Sequence, residues 1–200
     1  MRVLVGCESS GTVRNAFRAL GHKAYSCDIL PSDNFSQYHF QMDVMDAIKL
    51  RDDWDLIILH PPCTALAVSG NAWYGKDQPK HQERIDSVKW TVELWELAKR
   101  HSKAVAMENP VGILGSMAGL KPNQYIQPYQ FGHMEQKKTG LWLYNLPELV
   151  ETDNVREAMM ELPIKERQRI HYLPPSTDRW KIRSKTFNGI AAAMAQQWGS

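Results

Sequence analysis

Hydrophobic and polar positions near the start of the chain follow two rhythms. Arg2-Val3-Leu4-Val5-Gly6 is a short β-rich run. Val13, Phe17 and Leu20, with Ala16 beside them, recur at i, i+4, i+7, the spacing of one apolar helix face. Between them, Glu8-Ser9-Ser10-Gly11-Thr12 is a polar turn offering N-cap residues, and Gly21 is a natural helix stop. Lys23-Ala24-Tyr25-Ser26-Cys27 then reads as a second strand ending at Asp28. A strand-helix-strand start predicts a parallel sheet with crossover helices. Asp43-Val44 follows a weak strand signal, and Trp54-Asp55-Leu56-Ile57-Ile58-Leu59 is a strong buried strand halted by Pro61-Pro62. Residues 64–82, with Gly70, Gly75 and Pro79, read as a long mobile loop. Ile85, Val88, Val92 and Trp95 mark a helix running to about Arg100, and Lys103-Ala104-Val105-Ala106-Met107 is the next strand, ending at Glu108-Asn109-Pro110. Leu141-Trp142-Leu143-Tyr144 is a strand candidate apolar on both faces; Ile190, Met194 and Trp198 mark a last helix.

Composition narrows the class. At 200 residues, with 43% hydrophobic and 23% charged residues, the chain fits one globular domain spanning 1–200, not a disordered, collagen-like or coiled-coil chain. No apolar run approaches the roughly 18 residues of a membrane span, and Glu8 arrives too early for a signal-peptide core, so the expectation is cytoplasmic residence without a membrane partner. A net charge of +2 names no partner, but the charge is unevenly spread. Lys165, Arg167, Arg169, Arg179, Lys181, Arg183 and Lys185 stand against only Glu166 and Asp178 in one stretch. That stretch suits phosphate contacts and equally suits a solvated face. Cys7, Cys27 and Cys63 show no paired spacing and the histidines no metal-ligand spacing, so neither a disulfide framework nor a metal is expected. Cys7 and Cys27 read as small core residues.

In an open α/β sheet, ligands bind beyond the carboxyl ends of the strands. Polar groups follow four predicted strands: Gly6 to Gly11, Asp28, Pro61-Pro62-Cys63, and Glu108-Asn109-Pro110, with Asp43 a weaker fifth. A small-residue turn with an acid about twenty residues later has the logic of an adenosine site, although Glu8 stands where a dinucleotide site has its second glycine. Two prolines stiffen the turn before Cys63 and aim its thiol into the crevice. Glu108, if partly buried, is expected to have a raised pKa and to carry a proton near neutral pH. A nucleophile beside a proton carrier suits addition to a polarised ring. Each residue alone also fits a bland role: an inert loop cysteine, a helix cap or surface acid.

These motifs, in this order, resemble the DNA cytosine-5 methyltransferases, and the chain is similar to the family's compact homologues often encoded by bacteriophages. Val5-Gly6-Cys7-Glu8-Ser9-Ser10-Gly11 stands at the cofactor turn, Asp28-Ile29 at the acid for the ribose of S-adenosylmethionine, and Asp43-Val44 at the acid near its adenine. Pro61-Pro62-Cys63 resembles the Pro-Cys nucleophile loop and Glu108-Asn109 the Glu-Asn motif. Gln136-Lys137-Lys138 resembles Gln-x-Arg with Lys138 in place of arginine, and Phe187-Asn188-Gly189-Ile190 the Asn turn that closes over the cofactor. The resemblance implies a Rossmann-like class I S-adenosylmethionine-dependent methyltransferase fold, α/β, with a central mostly parallel sheet and helices on both faces. It implies Cys63 and Glu108 as catalytic residues and Pro62, Asn109, Gln136 and Lys138 as substrate contacts. Gly6, Glu8, Ser9, Ser10, Gly11, Asp28, Ile29, Asp43, Val44, Pro61 and Asn188 would hold the cofactor. Cys63 would add to cytosine C6, Glu108 would bond ring N3 and the exocyclic amine, and the target base would be flipped from DNA.

The chain also departs from that family. His60 and Thr64 flank the nucleophile where glycine and glutamine or serine are usual, and Pro110 replaces valine. Only about 50 residues separate Lys138 from Asn188, too few for a target-recognition domain of typical size. Residues 139–186 are expected to be a reduced basic remnant in its place. Duplex or single-stranded DNA, and a protein partner or oligomer that supplies target recognition, remain open. So do C5 modification of a free cytosine nucleotide or RNA, an amino methyltransferase, and a cofactor- or DNA-binding relic without turnover. Trp73-Tyr74, in the loop after Cys63, would cover the base or pack locally; Arg84 and Trp180 have no assigned role.

Overall fold

The structure, a computed structural model, describes residues 1–200. Its strands are β1 (Arg2–Gly6), β2 (Lys23–Asp28), β3 (His39–Gln41), β4 (Trp54–Leu59), β5 (Ser102–Pro110), β6 (Gln124–Ile126) and β7 (Thr139–Tyr144). They form one seven-stranded sheet in the order β3-β2-β1-β4-β5-β7-β6. The first five strands in that order are parallel; β7 runs antiparallel to both β5 and β6. Strand order reverses between β1 and β4, so a crevice opens there beyond the strand ends.

Alternation along the strands sorts side chains to two cores. Val3, Val5, Leu56 and Ile58 face α1 (Thr12–Ala19) and α10 (Asn188–Trp198), packing with Phe17, Met194 and Trp198. Leu4, Ile57, Leu59, Val105 and Met107 face the other way, against α2 (Val44–Lys49) and α4 (His81–His101). The fold is a mixed α/β architecture with helices on both faces of the sheet.

One region differs from the sequence expectation, and a second joins the strand expected at Leu141–Tyr144 to short helices that the sequence did not mark. Residues 64–82 are not simply loop. They carry a 3-10 turn at Val68–Gly70 and α3 (Asn71–Tyr74). After α5 (Leu114–Ala118) and β6, the stretch 139–186 begins inside the sheet as β7. It continues through α6 (Arg156–Glu161), α7 (Ile164–Arg167), α8 (Arg169–Tyr172) and α9 (Arg179–Ser184). No helix is long and apolar enough to cross a membrane.

Candidate active site at the strand ends

The turn after β1 is tight because its neighbours crowd it. A Cβ on Gly6 would stand 2.6 Å from Val44 Cγ2 and 2.9 Å from Leu59 Cδ2. Cys7 then takes a left-handed φ of 59°, unusual for a residue other than glycine. The Glu8 carboxylate turns inward, accepting hydrogen bonds from Val13 N at 2.7 Å and Arg14 N at 3.3 Å, and so satisfies the free amides that begin α1. Arg14, fully buried, donates to Ser26 Oγ at 2.7 Å and Asn34 Oδ1 at 3.1 Å. Asp28 ends β2 and accepts from Leu30 N at 3.0 Å; Asp43 caps α2, accepting from Met45 N at 2.7 Å.

The turn after β4 is held from three sides. His60 N donates to Gly6 O at 3.0 Å, and Asn109 Nδ2 donates to Pro61 O at 2.9 Å. Leu66 N and Ala67 N both donate to Cys63 O. Arg84, buried on α4, donates to Ala65 O at 2.7 Å, Asn71 Oδ1 at 2.8 Å and Ala67 O at 3.3 Å. It thereby pins the segment that follows Cys63. A signal for this role lay in the sequence: Arg84 is in helical phase with buried Val88, Thr91 and Trp95.

Glu108 sits on β5 with its carboxylate against His60, Oε2 to Nδ1 at 2.8 Å; the two side chains are 11% and 8% exposed. Burial works to raise the Glu108 pKa, but the bond to His60 and the charge of Lys137 hold it below the ordinary carboxylate range. Glu108 is therefore an anion at neutral pH, not the proton-carrying acid expected from sequence, because its partner is an imidazole. Burial pushes the Cys63 thiol up, and Lys137 and Arg183 pull it the other way. Burial, reinforced by Asp28, keeps Cys7 a neutral thiol; burial pushes Cys27 up to about 12.

These turns open on one cavity of about 1070 Å³. One wall comes from the strand ends: Cys7 to Ser10, Asp28, Ile29, Asp43, Val44, His60, Pro62 and Cys63. The facing wall comes from the basic stretch: Ile170, His171, Ser176, and Arg179, Trp180, Lys181, Arg183 and Lys185. The Lys181–Asp33 ion pair at 2.8 Å joins them, and Lys137 Nζ donates to Arg183 O at 2.8 Å.

No family model matches the chain, and no curated protein matches it. Among solved structures, it is similar to one from E. coli described as a candidate DNA modification methyltransferase encoded within a prophage. The two are 14% identical with a TM-score of 0.46, over 82% of this chain and 56% of that one. The chain thus spans about half the length of that structure.

The cavity brings together Glu8, Ser9, Ser10, Asp28, Ile29, Asp43, Val44, Pro62, Cys63 and Lys138 from the residues singled out in the sequence. Gly6, Gly11, Pro61, Glu108, Asn109, Gln136 and Asn188 do not line it. Gln136 is turned to the basic stretch, accepting from Gln168 Nε2 at 3.0 Å, and Asn188 begins α10. Sequence reasoning gave no site role to His60, Lys137 or Trp90, which line the cavity; Cys7, read as a small core residue, packs against the second core and lines the cavity as well. Lys138 Nζ lies 4.4 Å over the Tyr125 ring, so Lys137 is the cation whose charge reaches Cys63 and Glu108. No group of three or more potential metal ligands is present.

Proposed function

We propose that this chain is an S-adenosylmethionine-dependent methyltransferase that places a methyl group on C5 of cytosine in DNA. On this reading it is one Rossmann-like class I domain over residues 1–200, and the basic stretch after β7 stands where a larger reader would be. The observation that carries the proposal is that Cys63, on a turn fixed by Arg84 and Asn109, shares one cavity with the turn after β1 and the carboxylates of Asp28 and Asp43.

The residues present fit the cofactor. Asp28 keeps a carboxylate oxygen for ribose hydroxyls, and exposed Ile29 with Val44 offers apolar faces to an adenine. Gly6 lets the β1 turn pack closely against Val44 and Leu59, which sets the position of the cradle residues that follow it. Asp43, Glu8, Ser9 and Ser10 complete the cradle. When bound, S-adenosylmethionine supplies the methyl group that carbon 5 takes.

The chain's own part is nucleophilic catalysis. The Cys63 thiolate adds to C6 of the flipped base, which makes C5 nucleophilic; loss of the C5 proton and elimination then release Cys63. Lys137 lowers the cost of the thiolate. Pro62 and Asn109 keep the sulfur aimed, and Gln136 fastens the basic wall. Lys138, Arg179, Lys181, Arg183 and Lys185 suit a polyanion better than a free nucleotide, because several phosphates are needed to engage them. The test is transfer of labelled methyl from S-adenosylmethionine to cytosine-containing oligonucleotides, followed by digestion to nucleosides. 5-Methylcytosine is the expected product; label on an exocyclic nitrogen, or on no substrate at all, would overturn the proposal.

A further inference from the structure

The cavity presents an imidazole where the family resemblance places a carboxylate. His60 lines it beside Cys63, whereas Glu108 does not line it and is hydrogen-bonded to His60. The Nδ1 of His60 faces a carboxylate at 2.8 Å, so Nδ1 carries the hydrogen and donates it. That leaves Nε2, which is buried and has no hydrogen-bond partner anywhere in the protein. A buried polar atom without a partner costs free energy, and native folds pair nearly all of them. The ring cannot rotate away without giving up Glu108, and its main chain is tied to Gly6 O.

Resting on the cytosine-5 reading, the geometry points to His60 as the side chain that meets the target base. Its Nε2, bare while Nδ1–H is held by Glu108, takes the proton of the Cys63 thiol and passes it to ring N3 as the sulfur adds to C6, and Glu108 serves as its positioning residue. Electrons and protons balance without a further reagent. The sulfur–C6 bond forms from the thiolate pair, and the C5=C6 π bond opens. Charge moves through C4 to N3, which takes the Nε2 proton. His60 becomes neutral while still donating Nδ1–H to Glu108. After C5 is methylated, the C5 proton passes to water, the C5=C6 bond re-forms, the sulfur leaves, and N3 returns its proton to Nε2. The Glu108 carboxylate offsets the positive charge that Nε2 protonation places on the ring, as in other carboxylate–imidazole pairs. Lys137, also in the lining, donates to Arg183 O at 2.8 Å.

The experiment follows covalent adduct formation at Cys63 on an oligonucleotide carrying 5-fluorocytosine, with S-adenosylmethionine present. Wild type is compared with His60→Gln and Glu108→Gln, and cofactor binding by calorimetry confirms that each variant is folded. Proton transfer by a positioned side chain is typically worth about 10²–10⁴ in rate. His60→Gln is expected to slow the saturated rate about 100-fold with oligonucleotide affinity within about threefold. Glu108→Gln is expected to slow it less, about 10-fold. If His60→Gln does not fold, His60→Ala is assayed with added imidazole, which should restore rate where sodium chloride does not. A His60→Gln protein within threefold of wild type, with Glu108→Gln the severe variant, would overturn the assignment and put Glu108 on the base. An absence of adduct in wild type itself would instead remove the cytosine-5 reading, and the role of His60 with it.

Discussion

The strand-end wall of the cavity and the basic wall opposite it face the same space but are held by different bonds. The first hangs on the parallel ladders of β2, β1, β4 and β5, and is braced from behind by buried Arg14, Arg84 and Asn109. The second is a chain of helices four to six residues long, in which α7 and α9 bury no residue. It is tied to the rest of the chain by the Lys181–Asp33 ion pair and, through residues 135–137, by the Arg169–Glu135, Gln168–Gln136 and Lys137–Arg183 contacts. Reacting groups need a fixed geometry, and a ladder provides it. Groups that follow a phosphate backbone need charge more than fixed position. On the proposed function, changes to the first wall should therefore strike chemistry or stability, and changes to the second should strike nucleic-acid affinity.

The sharpest break is Cys63→Ala. It should lower methyl transfer by roughly 10³-fold or more, since removing a covalent nucleophile leaves only binding and electrostatic assistance. Cofactor affinity by calorimetry should stay within a few-fold. Next comes Arg84→Met. It leaves the carbonyls of Ala65 and Ala67 without their buried donor, and should cost about 2–3 kcal/mol in urea unfolding. A Lys→Met change on α9 should cost less than about 0.5 kcal/mol.

Charge sharpens the comparison further. The Cys63 thiol is raised, so its thiolate is the minor form at neutral pH and grows as pH rises. Iodoacetamide should label Cys63 slowly at pH 7, and the rate should climb about tenfold per pH unit below its pKa. Lys137→Ala should slow labelling at every pH in that range, because the cation favours the thiolate. The smallest effect lies on the second wall. Lys181→Ala and Arg183→Ala should each reduce the slope of log affinity for DNA against log salt by about one. Cofactor affinity should not change. A slope unaltered by both would remove the basic wall from DNA binding.

How much of this was written legibly in the chain depends on the range of the interaction. The turn after β1, Asp28, Asp43 and Cys63 could be found because each directly follows a run of strand-forming residues. The two apolar faces of Leu141–Tyr144 likewise marked a strand buried on both sides. The His60–Glu108 pair could not be read, because its members are 48 positions apart. Only the β4–β5 register, Ile58 with Ala106 and Leu59 with Met107, brings them abreast. The protonation expected of Glu108 failed for the same reason, since a partner invisible in sequence sets its charge. The helices between 156 and 184 are too short to show a helical period. Lys138 attracted notice by its place in a motif, whereas position in space gives Lys137 the stronger claim on Cys63.

The claim that Cys63 attacks a cytosine ring is tested most directly by intact-mass and peptide mass spectrometry. The protein is incubated with S-adenosylmethionine and DNA carrying 5-fluorocytosine. One oligonucleotide per chain, attached through the peptide that holds Cys63 and absent in Cys63→Ser, is the predicted result. No adduct on duplex or single-stranded DNA, or an adduct that persists in Cys63→Ser, would contradict the account.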